Sequence, residues 1–351
     1  MMTEKDYFIL PMTSNNNMTN MFRPSFRNFF IFFIIYIIGF SFLVVYLEQS
    51  KWDSTEKTLN DLAKTVKEQN ELIEQIYQFN DRLINDVNSK KKTINKNLPT
   101  IFAITPTFAR PVQKAELTRL AQAFFQMPNF HWIVVEDSAT RTNLVTNFLW
   151  ESGLNYQHLN VITPSNYKLG INDPHWKKPR GVAQRNAALN WLRNNYNTST
   201  NGIVYFADDD NTYSIKLFKE MEKIKVVGVW PVGLVGGLMV ERPICDNTTN
   251  KVIGFNSVWK PERLFPLDMA GFAVNLKILL EKKDTVFSFH AKPGYQESEF
   301  LKQLVTRDQL EPLADCCTKV YVWHTRTESP PLRDEQRLIK MGKKSNDNIE
   351  I

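Results

Sequence analysis

Cysteine is scarce in this chain of 351 residues: Cys245, Cys316 and Cys317 are all it has. So few exclude a disulfide scaffold, and without a Cys-x-x-Cys pair they exclude a structural zinc site. The odd number leaves at least one thiol free or paired between chains. The adjacent Cys316 and Cys317 read as small buried residues opening a strand. Nucleotide-binding signatures are missing too. No Gly-x-Gly-x-x-Gly follows the first apolar strand, and no Gly-x-x-x-x-Gly-Lys-Ser/Thr occurs. That argues against dinucleotide and P-loop enzymes. The net charge is only +6, and no stretch interleaves dense Lys/Arg with aromatics, so a nucleic-acid partner is not expected. The basic run Lys90 to Lys92 reads as a solvated linker.

What is present begins with an uncharged run, FFIFFIIYIIGFSFLVVYL, from Phe29 to Leu47. It matches the hydrocarbon thickness of a bilayer. It is too long for a signal-peptide core and no small-residue cleavage site follows, so an uncleaved signal-anchor is predicted over 29–47. Arg23 and Arg27 precede the run, while Glu48, Lys51, Asp53, Glu56 and Lys57 follow with mixed sign. The positive-inside rule then puts a tail at 1–28 in the cytosol and the remainder in a lumen, a single-pass type II arrangement. Residues 48–98 predict a helical stem. Leu59, Val66, Ile73, Asn80 and Val87 recur every seven residues, and Leu62, Gln69, Ile76 and Leu83 fall three after the first four. These are the a and d positions of a coiled coil, and Asn80 at an a position suits a homodimer. Asn-x-Ser/Thr acceptor sites at Asn197 and Asn247 suit a lumenal domain.

From 99 to 351 the texture changes. TIFAITPT, HWIVVEDS, HLNVIT and GIVYFADD are short apolar runs. Helical patterns lie between them at Val112 to Phe125, Arg141 to Glu151 and Val182 to Asn194. Strands alternating with helices predict an α/β fold with a mostly parallel sheet, whose ligands bind beyond the carboxyl ends of the strands. Acidic residues occupy those ends: Glu136 and Asp137, then Asp208, Asp209 and Asp210. The later half, with glycine bends in VVGVWPVGLVGGLMVERP, a short helix at ESEFLKQLV and a late strand ending at His324, predicts a mixed α/β addition.

Three adjacent carboxylates repel one another unless a cation sits among them. Oxygen donors at a strand end suit a hard divalent ion such as Mg²⁺ or Mn²⁺. A solvated Asp-Asn turn would explain the loop, though not the apolar strand aimed into it. Arg180 and Arg185 stand at the start of a helix, a place suited to an anion. His324 and Arg326 end a strand and could reach the same anion. A hydrolase with metal-activated water stays open on these residues alone.

PTFARPVQKAELTRL, HWIVVEDS, PRGVAQRN, YFADDDNTY, VWPVGLVGG, DMAGFAVN, QESEFLKQL and VWHTRTE occur in that order. Together they resemble the β-1,3-glucuronosyltransferases of animal Golgi membranes, from about Thr100 to Glu328. The resemblance implies a GT-A fold, Mn²⁺, UDP-glucuronate as donor and inversion at the anomeric carbon. It implies Asp210 as the metal ligand, Asp209 facing the ribose, and Asp208 toward the donor sugar and Arg185. It implies uridine contacts from Asp137 and Arg180, diphosphate contacts from His324 and Arg326, and Glu297 as the catalytic base. Glu241, Arg263 and Asp268 correspond to residues holding the acceptor sugar. Two departures stand out: Phe108 replaces a usual Tyr, and Cys316-Cys317-Thr318 replaces a usual Asn-Cys-Thr glycan site. The implied acceptor is a terminal galactose. The Gal-Gal-Xyl proteoglycan linker is the expected one, with N-acetyllactosamine on glycoproteins and a catalytically inactive Golgi glycan-binding relative as alternatives.

Overall fold

The computed structural model describes residues 97–170, 173–174, 177–328 and 330–346, together with Asn95 and scattered helical positions between 34 and 78. The tail at 1–28, nearly all of the 29–47 anchor and most of the 48–98 stem lie outside the described residues. Among the described residues no helix is long and apolar enough to cross a membrane. The described stem positions between Val66 and Gln78 are helical and exposed. The chain divides into two units, Met1–Tyr77 and Gln78–Ile351. Both sheets belong to the second.

The first half alternates as expected: β1 (Thr100–Thr107), α1 (Gln113–Phe124), β2 (Phe130–Glu136), α2 (Asn143–Ser152), β3 (Tyr156–Asn160), α3 (Val182–Asn195) and β4 (Gly202–Phe206). β5 (Thr212–Tyr213), α4 (Ile215–Met221), β6 (Val227–Val229), β7 (Val232–Val235), β8 (Leu238–Asp246) and β9 (Lys251–Asn256) follow. The chain ends with β10 (Phe272–Asn275), α5 (Leu276–Glu281), α6 (Gln296–Leu301), β11 (Leu310–Pro312), α7 (Ala314–Cys317), β12 (Val322–Trp323) and α8 (Arg333–Lys340).

The larger sheet has the order β11-β6-β10-β4-β1-β2-β3. β4, β1, β2 and β3 run parallel, and β10 is antiparallel to both neighbours. The fold is therefore mixed α/β. Parallel strands are covered on both faces, which is why β2 and β4 are buried throughout. Successive side chains alternate between two cores. Trp132 and Tyr205 face Leu120, Phe124 and Phe218, while Phe102, Val204 and Phe206 face Leu189, Phe272 and Phe300. Helix ends carry local signals. Thr142 caps α2 by accepting from Val145 N, and Gly153 ends it in the left-handed region. The smaller sheet, β5-β12-β7-β8-β9, joins the strand after the aspartates to the late strand β12.

Cys316 and Cys317 do not open a strand. Ala314, Asp315, Cys316 and Cys317 all have positive φ, from 48° to 57°, and form a single left-handed turn. Left-handed residues other than glycine cost roughly 1–2 kcal/mol each, so neighbours must hold the turn. Glu220 Oε2 accepts from Ala314 N, and Arg242 Nη1 donates to the Cys317 carbonyl. A disulfide from Cys316 to Cys245 on β8 ties it further, and Cys317 is the free, buried thiol. The scarcity of cysteine hid this pair because its partners lie 71 residues apart. Closing a loop of that length is worth about 4 kcal/mol in the chain-entropy picture. Cys245→Ser should lower the melting temperature by about 10 °C, and Cys245→Ser/Cys316→Ser should match it. A thermal melt of each, with and without reductant, checks this.

Candidate active site

β4 is driven into the sheet by its apolar side chains, so Asp208, Asp209 and Asp210 emerge at its carboxyl end. Each is held differently. Asp208 Oδ1 pairs with Arg185 Nη2 at 2.5 Å, and the Asp208 carbonyl accepts from Tyr213 Oη. Arg185 is buried on α3, and its Nη1 donates to the Arg180 carbonyl. Gly181, at φ 71°, makes that possible: a Cβ there would stand 2.6 Å from Arg185 Nη1. Asp209 Oδ1 pairs with Arg110 Nη2 at 2.8 Å, and Glu116 of α1 holds the same guanidinium. Burial outweighs Arg110 and pushes the Asp209 carboxyl up to about 6. Among the described residues, no cation forms an ion pair with the Asp210 carboxylate. Burial, then the neighbouring Asp208, raises its pKa above the ordinary value.

That division of charge tests whether the site fits a metal. Two of three carboxylates are already matched to arginines, and the third is left as a hard oxygen donor in need of a cation. The described residues offer no cluster of three or more His, Cys, Asp or Glu. A bound divalent ion would therefore complete its shell with phosphate oxygens and water, the usual habit of Mg²⁺-like ions. The residues fit such an ion.

The end of β12 lies beside the triplet because β12 pairs with β5, Trp323 opposite Thr212. It also runs parallel to β7, where Trp323 presses on Gly233 so closely that a Cβ would be 2.5 Å away. His324 N donates to the Gly233 carbonyl, and His324 Nδ1 meets Asp268 Oδ2 at 3.2 Å. The hydrogen bond to Asp268 raises the His324 pKa against the opposing effect of burial, with Asp208 and Asp210 adding to the rise. Burial alone would raise Asp268, but His324 and the Ala270 N–H bring it below its ordinary value on balance. Arg180 and Arg326 are exposed. Asp137, just past β2, accepts from Thr163 through both oxygens, at 2.7 Å each.

Beyond Asp268 lies a second group of charges. Glu241 is buried on β8 and accepts from Ser257 Oγ. Burial raises its pKa. Glu297 stands in the first turn of α6, its Oε2 3.8 Å from Arg263 Nη1. Burial, then Asp268, pushes its carboxyl up to about 7, against the pull of Arg263 and Arg185. Arg263 is buried and spends four hydrogen bonds on the carbonyls of Trp259, Lys260, Leu267 and Gly294. With five N–H donors in a guanidinium, it holds two loops together more than it faces a ligand. Asn197 and Asn247 are both exposed, the first after α3 and the second in the β8–β9 turn.

Reading the chain residue by residue did not single out Arg110, Arg119 and Thr325, which touch the aspartate loop, or Glu116, which holds Arg110. One signal was present: Glu116 and Arg119 are three apart on α1 and so share a helix face.

A carboxylate triplet at a strand end, arginines at the start of a helix, and a histidine bound to the aspartate that acts on the raised Glu297 carboxyl are brought into one electrostatic network. Residues 120–328 match the model of glycosyltransferase family 43. The chain belongs to that family. It is 54% identical over 258 residues to galactosylgalactosylxylosylprotein 3-beta-glucuronosyltransferase I of Drosophila melanogaster, covering 72% of this chain and 84% of that one. It is 49% identical over 269 residues to galactosylgalactosylxylosylprotein 3-beta-glucuronosyltransferase sqv-8 of Caenorhabditis elegans, covering 76% and 75%. It is 54% identical over 241 residues to galactosylgalactosylxylosylprotein 3-beta-glucuronosyltransferase 1 of Homo sapiens, covering 68% and 72%.

Proposed function

We propose that this chain is an inverting, GT-A-type glucuronosyltransferase. It moves glucuronate from UDP-glucuronate to O3 of the terminal galactose of the Gal-Gal-Xyl proteoglycan linker. The observation that carries the chemistry is that the His324–Asp268 pair is coupled to two carboxylates, His324 to Asp210 and Asp268 to Glu297. Among the described residues the Asp210 carboxylate forms no ion pair, and Glu297 has a carboxyl raised to about 7. The names of the relatives support the acceptor.

Asp210 would hold Mn²⁺, which when bound supplies Lewis-acid stabilisation of the departing diphosphate. Asp137 and Arg180 bind the uridine, and Asp209, steadied by Arg110, faces the ribose. Asp208 and Arg185 bound the donor sugar. His324, whose pKa the hydrogen bond to Asp268 raises, and Arg326 stabilise the negative charge that grows on the diphosphate. Glu297 removes the proton from the galactose O3 as that oxygen attacks the anomeric carbon from the face opposite the leaving group. A single displacement needs no covalent intermediate. Glu241 and Asp268 form the acceptor side, with Arg263, 3.7 Å from Glu241 and 3.8 Å from Glu297, holding it in place. The domain is lumenal in the Golgi, anchored by 29–47, dimeric through the 48–98 stem and glycosylated at Asn197 and Asn247.

The test incubates the full-length chain with UDP-glucuronate and either Gal-Gal-Xyl or N-acetyllactosamine. Transfer to the linker is expected in Mn²⁺, with EDTA abolishing it and added Mn²⁺ restoring it. Preferred transfer to N-acetyllactosamine would overturn the acceptor assignment. Release of UDP without acceptor would indicate a hydrolase, and binding without turnover a glycan-binding protein.

A further inference from the structure

The Asp210 peptide is gripped from two sides by groups that the roles above leave unused. Its carbonyl oxygen accepts from Arg119 Nη2 at 2.8 Å and from the Thr325 hydroxyl at 2.7 Å. Arg119 comes from α1, 91 residues away in sequence, and Thr325 from the end of β12, 115 residues away. The Thr325 and Thr212 hydroxyls are 3.1 Å apart. Because Thr325 gives its proton to the Asp210 carbonyl, Thr212 is the donor in that contact. A hydrogen-bond chain therefore runs from Thr212 through Thr325 to the Asp210 carbonyl, with Arg119 closing from the helix side. Thr325 also lies between His324 and Arg326.

We propose that Arg119 and Thr325 are positioning residues for the metal, bracing the Asp210 peptide so that its carboxylate is already aimed when the ion arrives. This rests on the reading of Asp210 as the metal ligand. A carboxylate at the tip of a turn is only as well placed as the peptide that carries it. Without the brace, each binding event must also order the turn, and that cost appears as weaker affinity. The position of Thr325 adds a second effect: the group that aims Asp210 is covalently continuous with the two residues assigned to the diphosphate. Metal and phosphate contacts are thereby kept in register. Outer partners of metal ligands typically change affinity by about 10- to 100-fold, which sets the expected size.

The experiment titrates Mn²⁺ into the full-length chain with UDP present and follows the electron paramagnetic resonance signal of the free ion. Thr325→Val should weaken Mn²⁺ about 10- to 100-fold, and Thr325→Ser, which keeps the hydroxyl, should restore it. Arg119→Met should weaken it in the same range, with Arg119→Lys intermediate. Uridine affinity measured without metal should stay at the wild-type value in each, since Asp137 and Arg180 are untouched. Wild-type Mn²⁺ affinity in Thr325→Val, or no recovery in Thr325→Ser, would overturn the brace. Loss of uridine affinity in step with Mn²⁺ would also overturn it, because it reports a collapsed site. Should Thr325→Val fail to fold, the Arg119 pair decides by the same criteria. If Asp210→Ala binds Mn²⁺ as the wild type does, the metal assignment itself fails, separately from the brace.

Discussion

Asp210→Ala should reduce transfer by about 10³-fold or more and leave whatever remains indifferent to Mn²⁺. A metal that polarises a leaving diphosphate is worth several kcal/mol, and each 1.4 kcal/mol is about a factor of ten in rate. The effect should exceed that of Asp208→Ala or Asp209→Ala. Those two carboxylates are already paired with Arg185 and Arg110, so part of their cost is structural. Asp210→Ala removes an unmatched charge and strands no arginine, so its melting temperature should hold or rise. Uridine binding should persist, because Asp137 follows β2 and Arg180 precedes α3, and neither is altered. Transfer assays with and without EDTA, set beside a thermal melt, separate these outcomes. Undiminished turnover of wild-type protein in metal-free buffer would remove Asp210 from the role.

Glu297→Gln is the second large effect, a fall of about 10²- to 10⁴-fold in kcat, the usual worth of a general base. The glutamine is nearly isosteric but cannot take the hydroxyl proton. UDP and Mn²⁺ affinity should barely move, the pattern of an interaction made mainly in the transition state. The pH dependence follows from the same residue. A base must be ionised, and with Glu297 raised to about 7, kcat/KM should fall tenfold per pH unit below that value. Above it the curve should level. The Gln variant should lose this acidic limb altogether. Calorimetric UDP titration beside pH-rate profiles tests both parts. Donor affinity lost in step with activity would make Glu297 a donor-site residue, and Glu241 or Asp268 would become the candidate bases.

Much of this was legible in the chain. A buried strand running into three aspartates, two arginines at a helix start and a late strand ending at His324 are local patterns, and local geometry carries them to the expected places. What pairs across long stretches was not legible. Nothing near Arg110 announces that it will neutralise Asp209, and nothing in WHTRTE separates Thr325 from its neighbours. The left-handed turn at 314–317 runs against backbone preference and depends on Glu220, Arg242 and the Cys245–Cys316 bond. Arg263 illustrates a different gap. Its residue type suggests a ligand contact, and only the positions of four carbonyls reveal how committed it is.

The pairing of β5 with β12 sets a timetable for biosynthesis. Strands β1 to β4 can join as soon as the first half of the domain has been made. The short strand after the aspartates cannot, because its partner at Val322–Trp323 is encoded about a hundred residues later. At about 5–20 residues per second, Thr212 and Tyr213 wait on the order of 5–20 seconds with an unpaired edge, and Asp210 waits as long for Thr325. The nascent chain thus acquires a folded sheet well before it acquires a functional loop. A ribosome stalled just short of Val322 would display a protease-resistant sheet whose Asp210 peptide is held by Arg119 but not yet by Thr325.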